Sequence, residues 1–394
     1  MKKMKLLTLS LTAFLAVNLN ALSLDEAVSI ALKNNFEIQG KNYDYLESLE
    51  NINSVNSNNL PKLDAVYGFT NTDKPNIGYE SDEAVASIAL SYNLFNGFKD
   101  ISLKESSKYL SLSSQHGLNA TKQDIVLNTK TAYINYLDKK NALETYNSAY
   151  ILFQEQYEDS KHRYEQGLIA KNDLLQVQVN MSNAKQNVVK AQGDLKISSF
   201  TLSNILGGMD LSKEKIEDLD EKSLQSFTYN EELLENRSEI QALLLNLKSI
   251  KELEKSTNSG YYPKIDATVS HNKYFDELSK KVEDKQENQN IAKINATWNL
   301  YNGGYDSSQN AIYKTKYLSA TSLLNKTKLD IKLQYENAKS NLQVSSENLE
   351  TSKLALLQAQ ENYAIVKNRF LEGISTSTDL TDANYLLTQA KQGY

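Results

Sequence analysis

Asp379 and Asp382 stand three residues apart near the end of the chain, and Asp173 stands 206 residues before Asp379. On a helix this spacing puts Asp379 and Asp382 one turn apart on one face. The chemistry open to such a pair is electrostatic, an acidic patch that attracts cations and resists anions. Proton transfer or metal ligation would need partners of another kind. The three histidines (His116, His162, His271) are scattered and the chain has no cysteine, so disulfides, thiolate chemistry and cysteine-based metal sites are excluded. No Gly-x-Ser-x-Gly, phosphate loop or metal-spaced histidine pair occurs, so neither an enzymatic activity nor a cofactor is expected. Asp173 and Asp379 each fall in the first turn of an expected helix, where the helix dipole favours a carboxylate. Thr376 and Asp379 have the spacing of a cap, whereas Ala170 occupies the position matching Thr376. Asp382, with Gln176 as its counterpart, is not explained by capping.

These carboxylates follow two turns written alike. "RYEQGLIAKNDLL" from Arg163 recurs as "RFLEGISTSTDLT" from Arg369, shifted by 206. Gly167 and Gly373 read as left-handed caps that end one helix before the next begins. The turns belong to a longer duplication. "LPKLDA" at Leu60 recurs as "YPKIDA" at Tyr262, shifted by 202, and "YNLFNGF" at Tyr92 recurs as "WNLYNGG" at Trp298, shifted by 206. The four extra residues fall in a polar, loop-like insert, 71–83 in one copy and 275–289 in the other. The repeats span 22–229 and 230–394.

Each copy follows one plan. A helix comes first, Ser23–Asn59 with Ser23 and Glu26 spaced as a capping box, then roughly 230–259 in the second copy. Two extended segments follow, expected at 62–72 and 84–95 and again at 264–274 and 290–301. In them Ile88, Leu90 and Tyr92 alternate with Ala89, Ser91 and Asn93, as Ile294, Ala296 and Trp298 alternate with Asn295, Thr297 and Asn299. Strands of about ten residues with terminal aromatics fit an outer-membrane barrel, and the same alternation also fits a half-buried soluble sheet. A barrel needs about eight strands to close, so a membrane reading makes two or three chains share one barrel.

After the Asn-Gly phrase comes a helical pattern of about 65 residues, a length of about 100 Å. It turns near 167–172, or near 373–378 in the second copy, and a second helix returns. Ile331, Tyr335, Ala338, Leu342, Ser345 and Leu349 alternate four and three, and the matching positions of the first copy run from Ile125 through Phe153, Tyr157 and Ser160 to Tyr164. This heptad period imposes a left-handed supercoil on packed helices. Each copy thus contributes an antiparallel coiled-coil hairpin, either to a solid stalk or to a hollow cylinder. The fold class is mainly α with a β-barrel portion.

Composition agrees with long helices. The chain has 394 residues, only 3 prolines and a net charge of −6, and no basic cluster beyond the first five residues marks a nucleic-acid partner. Lys2, Lys3 and Lys5 precede a short apolar run from Leu6 to Val17, which reads as an export signal over 1–21 with no lipid-anchoring cysteine after it.

The duplicated W/Y-N-L-Y/F-N-G phrase, the Pro-Lys-Leu/Ile-Asp strand start, and the duplicated Arg-Tyr/Phe-x-x-Gly turn with Asp six residues later resemble the TolC-like outer-membrane efflux factors. The resemblance covers nearly the whole chain after the export signal. It implies a homotrimer whose twelve strands form one barrel in outer-membrane lipid and whose helices form a tunnel reaching into the periplasm. A periplasmic adaptor and an inner-membrane transporter would be its partners, in multidrug efflux, metal efflux or type I secretion. The barrel-to-tunnel junctions are then Tyr92, Asn96 and Gly97, and Trp298, Asn302, Gly303 and Gly304. The adaptor-docking tips are Arg163, Tyr164, Gly167 and Leu168, and Arg369, Phe370, Gly373 and Ile374. Asp173, Asp379 and Asp382 line the periplasmic entrance. The family's latch tyrosine and arginine are replaced by Phe370 and Ser375, which leaves closure to packing. The end at Tyr394, where the first copy's returning helix runs on to Leu206, implies a shortened tunnel helix. A trimeric coiled-coil surface adhesin is the competing class, and it would carry its barrel segment at one end of the chain instead of strand pairs in both repeats.

Overall fold

The computed structural model describes residues 21–73, 82–212, 214–219, 231–275 and 288–394. The export signal, the boundary between the repeats and most of both inter-strand loops lie outside the described residues. The chain divides into two compact units, one holding 37–122 and 227–339, the other 1–36, 123–226 and 340–394.

The first unit holds all four strands. Helix α2 (Phe36–Asn56) and a single 3-10 turn lead into β1 (Lys62–Asn71), β2 (Asp82–Asn96) and the start of the 67-residue helix α3 (Lys99–Glu165). The second copy repeats this with α5 (Glu231–Glu235), α6 (Ser238–Thr257), β3 (Lys264–Tyr274), β4 (Asn288–Thr297) and α7 (Tyr305–Leu371), also 67 residues. The strands form one antiparallel sheet in the order β1-β2-β3-β4, so β1 and β4 are its edges. Pairing sets Leu63, Leu90 and Val269 in one row, and Tyr92, Ala267 and Ile294 in another. This face is apolar and uncovered, with Leu63, Tyr67, Ile88, Val269 and Ile294 all exposed. The opposite face carries Asp64, Ser91, Asn93, Asp266, Thr268, Lys293 and Asn295. One sheet therefore offers an oily face and a wet face, and among the described residues no apolar layer covers the oily one.

The helices of this unit pack through small residues. Ile240, Leu247, Leu324 and Ile331 form an apolar cluster between α6 and α7. The buried positions on α3 include Ser102, Ser106, Ser107 and Ser111. The hydroxyls of Ser106 and Ser249 meet at 2.9 Å, and Ser113 donates to the Ala242 carbonyl at 2.7 Å. Serine at such positions lets helices approach closely while its hydroxyl finds a partner.

The second unit holds α1 (Leu24–Asn34), the later parts of α3 and α7, α4 (Lys171–Ile205) and α8 (Ser377–Gly393). Ser23 and Glu26 form the expected capping box on α1, but the helix stops at Asn35 instead of running to Asn59. Asn35 turns extended (φ −65°, ψ 128°) and its amide donates to the Ile205 carbonyl at 3.0 Å. A buried side chain that satisfies the last turn of α4 thus replaces one helical residue with a kink. Helix α4 buries Val177, Ala184, Val188, Ala191, Ser198 and Leu202. Between 332 and 351 α7 buries nothing, and its seam residues Leu342 and Leu349 are exposed.

The fourth strand departs from expectation. It ends at Thr297, not at Tyr301, so Trp298 to Gly304 lie outside the sheet. Its counterpart β2 is paired on both sides and continues to Asn96, whereas β4 is paired only with β3.

Candidate functional site

Two kinds of site were expected, the strand-to-helix junctions in the first unit and the hairpin ends in the second.

At the first junction Gly97 and Phe98 both adopt φ 67°, the left-handed region. Glycine is required at 97, since a Cβ there would lie 2.8 Å from the Ser259 backbone. Phe98 tolerates the unusual backbone because its ring packs edge-on against Phe95 at 5.1 Å and Tyr262 at 5.7 Å. Asp100, buried in the first turn of α3, accepts hydrogen bonds from the side-chain amides of Asn96 and Asn93, the latter at 2.8 Å. The carboxylate thereby ties the end of β2 to the helix that follows. Tyr92 points to the uncovered apolar face. The second junction uses Gly303 and Gly304 at φ 58° and 81°. There Asn302 reaches Asp306 only at 3.4 Å, while Asn299 accepts from the Tyr301 amide. Trp298, Leu300 and Tyr301 are exposed.

The wet face of the sheet and the first junction enclose a hollow of about 800 Å³, bordered by Lys62, Asn93, Lys99, Asp100, Lys264 and Lys293.

At the hairpin ends both turns have the same backbone. The amides of Gly167 and Leu168 bond the carbonyls of Tyr164 and Arg163, and those of Gly373 and Ile374 bond Phe370 and Arg369. With both glycines at φ 75°, each is a Schellman stop. The next helix then starts within a few residues. Thr376 caps α8, its hydroxyl accepting from the Asp379 amide at 3.2 Å while the Asp379 carboxylate accepts from the Thr376 amide at 2.8 Å. These hydrogen bonds hold the Asp379 carboxyl below its ordinary pKa, and the charge of Arg369 adds to the effect. Asp173 occupies the same third position of α4 without a capping side chain at Ala170, and takes a 2.9 Å hydrogen bond from Asn172. Asp173, Asp379 and Asp382 are all exposed.

Of the tip residues, Leu168 and Ile374 present large exposed apolar side chains, and Tyr164 and Arg369 are also exposed. Phe370 is not on the surface. It is 3% exposed and lies beneath Arg163, whose guanidinium sits 4.3 Å from the ring centre and donates to the Phe370 carbonyl at 2.8 Å. Arg163 is correspondingly half-buried. Arg163 and Phe370 thus form a cation–π contact between the two hairpins of one chain.

A second link went unread in the sequence. Gln156 on α3 is buried, and its amide nitrogen lies 2.8 Å from the Ser377 carbonyl, 3.1 Å from the Ser377 hydroxyl and 2.9 Å from that of Thr381. The heptads had put Tyr157 on this seam. Among the described residues the buried Gln156 Oε1, Ser160 Oγ and Asn384 Oδ1 have no partner. Also unread was Tyr133, fully buried, whose hydroxyl lies 2.8 Å from the Leu22 carbonyl and 2.7 Å from that of Glu217. Burial, and then the charge of Glu217, push its phenol up to about 12. Only the polar-in-core residue types on α3 could have signalled either one.

Among the described residues no group of three or more histidine, aspartate or glutamate side chains converges as a metal site. None of their helices is long and apolar enough to cross a membrane.

With this geometry in hand, comparison with known proteins is direct. The chain is 24% identical to outer membrane protein TolC of Escherichia coli K12 over 402 aligned residues, covering 98% of this chain and 81% of that protein. Against TolC of Vibrio cholerae the identity is 24%, covering 88% and 80%. The fold matches the solved structure of CusC with a TM-score of 0.81 at 15% identity, covering 94% of this chain and 87% of that one. It matches the Campylobacter jejuni CmeC outer membrane channel with a TM-score of 0.77 at 18% identity, covering 94% and 81%. The sequence profile described as outer membrane efflux protein matches residues 27–208 and 230–394. A two-part match over most of the chain, with each part holding one strand pair and one helical hairpin, makes this chain a member of the outer membrane efflux protein family.

Proposed function

We propose that three copies of this chain form one exit duct, with a shared barrel in the outer membrane and a helical tunnel in the periplasm, which passively exports cargo delivered by an inner-membrane transporter. The observation that carries this reading is the four-stranded sheet, apolar and uncovered on one face, polar on the other, and open at both edges. Lipid tolerates an oily sheet face but not unpaired backbone at an edge. Four strands are about half of what the smallest barrel needs, so the edges must meet those of other copies. The exposed seam of α7 between 332 and 351 supports the same conclusion, since Leu342 and Leu349 then pack on a neighbouring copy.

In this reading the exposed Leu168 and Ile374 at the hairpin ends receive a periplasmic adaptor, flanked by Tyr164 and Arg369. Asp173, Asp379 and Asp382 line the entrance, where threefold repetition stacks rings of carboxylates that favour cations. The chain's part in efflux or type I secretion is set by the partner, and the duct itself supplies passage. Protein extracted from outer membranes and added to a planar bilayer is expected to run as a trimer and to open cation-preferring channels. A protein that stays monomeric in detergent and opens no channel would overturn the proposal.

A further inference from the structure

The duplication gives this chain an internal image of a contact it does not make alone. Strand β2 is covered on its inner side by β3, while the matching edge of β4 is bare. Residues of β2 map onto β4 by adding 206, and residues of β3 map onto β1 by subtracting 202. Carrying the observed β2–β3 register through both shifts turns Ala89↔Ser270, Tyr92↔Ala267, Asn93↔Asp266 and Asn96↔Lys264 into new pairs. Asn295 falls opposite Gly68, Trp298 opposite Ala65, Asn299 opposite Asp64, and Asn302 opposite Lys62. The last three lie in the segment that follows Thr297, where β4 has stopped.

Three independent features of the bare side match what this image demands. Gly97 is pressed by the backbone of Ser259 and by Tyr262, whereas a Cβ on Gly303 meets nothing within 4 Å. The images of Ser259 and Tyr262 are Ser57 and Leu60, which belong to the β1 end of the chain. Phe95 packs on Tyr262 at 6.4 Å, and their images, Tyr301 and Leu60, are 84% and 55% exposed. Finally, Asp100 is held by two asparagines, while among the described residues the Asp306 carboxylate accepts only the long hydrogen bond from Asn302, and Asn299 instead accepts from the Tyr301 amide. The second junction is thus a half-built copy of the first, lacking the strand that would complete it.

We propose that β1 of a second copy docks on β4 with Gly68 opposite Asn295, and that this pairing extends β4 through Asn302 and closes Asn299 and Asn302 onto the Asp306 carboxylate. The proposal rests on the shared-barrel reading and goes beyond it in fixing the register and in making the strand-to-helix corner of each chain dependent on its neighbour. Assembly then does more than seal an edge. It orders the segment from Trp298 to Gly304 that aims α7, so a chain without its neighbour has one finished corner and one loose one. Tyr301 covers Leu60 of the second copy, and Gly303 supplies the room its Ser57 backbone needs.

Two readouts test this in the full-length protein extracted from outer membranes. The chain has no cysteine and one tryptophan, Trp298, so both probes are free of background. Side chains directly opposite on neighbouring strands have Cβ atoms about 5 Å apart, close to disulfide reach, whereas a partner four positions along is about 13 Å away. A Gly68→Cys/Asn295→Cys double variant is expected to give covalent trimers on mild oxidation. An Asp64→Cys/Asn295→Cys variant, equally trimeric by gel filtration, is expected to stay unlinked. Trimers that cross-link through the second pair, or fail to through the first, overturn the register but leave the shared barrel standing. Failure to form any trimer overturns both. Trp298 emission is expected to move to shorter wavelength on assembly, and Asn299→Ala trimers are expected to show a smaller shift. A trimer whose Trp298 emission equals that of the detergent-dissociated chain overturns the strand extension.

Discussion

Arg163 meets Phe370 in two ways, its guanidinium over the ring at 4.3 Å and one N–H on the carbonyl at 2.8 Å. A partly desolvated cation–π contact contributes about 0.5–2 kcal/mol and a hydrogen bond from a charged donor about 1.5–3 kcal/mol. Arg163→Ala is therefore expected to weaken the contact between the hairpins by about 2 kcal/mol, a roughly thirtyfold change in the ratio of closed to open ends. Single-channel recording should show more time in a high-conductance level, with Arg163→Lys intermediate because lysine keeps the charge and loses the planar stack. Asp379 has a different role. Its carboxylate caps the Thr376 amide, and the same hydrogen bonds keep it ionised at lower pH. A carboxyl whose folded pKa is depressed contributes stability that is present above its unfolded value and lost as pH falls through the folded one. The first turn of α8 is thus expected to hold down to about pH 4 and to fray below it. Amide hydrogen exchange at Thr376 across that range checks this, with Asp379→Ala exchanging fast at every pH.

Elements whose form depends on local pattern were legible before any coordinates. The period of two marked all four strands, the heptads marked the buried Ile125, Phe153 and Ser160 of α3, and Ser23 with Glu26 marked the start of α1. What could not be read depends on neighbours distant in sequence. Tyr92-Asn93-Leu94-Phe95-Asn96 and Trp298-Asn299-Leu300-Tyr301-Asn302 are nearly the same phrase, yet only the first is strand, because β3 pairs with it. Apolar weighting favoured Tyr157 over Gln156, although the buried position belongs to the residue whose amide meets Ser377 and Thr381. The kink at Asn35 carries neither proline nor glycine, and its cause is a carbonyl 170 residues away. The same contrast between local and distant causes separates two glycines. Gly167 at φ 75° has open space around it, so Gly167→Ala costs only the left-handed backbone, about 1–2 kcal/mol. Gly97→Ala adds a Cβ 2.8 Å from the Ser259 backbone and must displace the turn that leads into β3. Thermal unfolding should show the Gly97 variant losing more stability than the Gly167 variant, and the Gly97 variant alone yielding less assembled protein.

At the scale of the assembled duct the question is which charges a passing ion meets, and at what range. Asp379 and Asp382 sit one turn apart on α8, and Asp173 holds the matching place on α4. In the proposed trimer three copies would bring these carboxylates around one axis, where like charges sum instead of being spread over a surface. The effect reaches about 10 Å at 0.1 M salt and about 3 Å at 1 M. A mouth governed by these rings should therefore prefer cations strongly in dilute salt and weakly in concentrated salt. Zero-current potentials across a planar bilayer with a tenfold salt gradient measure this. The Asp379→Ala/Asp382→Ala variant is expected to lose most of the preference at low salt and to differ little from the parent at 1 M. Because the Thr376 cap holds Asp379 ionised below the ordinary carboxylate range, the Asp382→Ala variant should keep part of its cation preference at a pH below that range. Loss of that preference within the ordinary range would separate the cap from the selectivity, and an anion preference in the parent would remove the carboxylates from the path altogether.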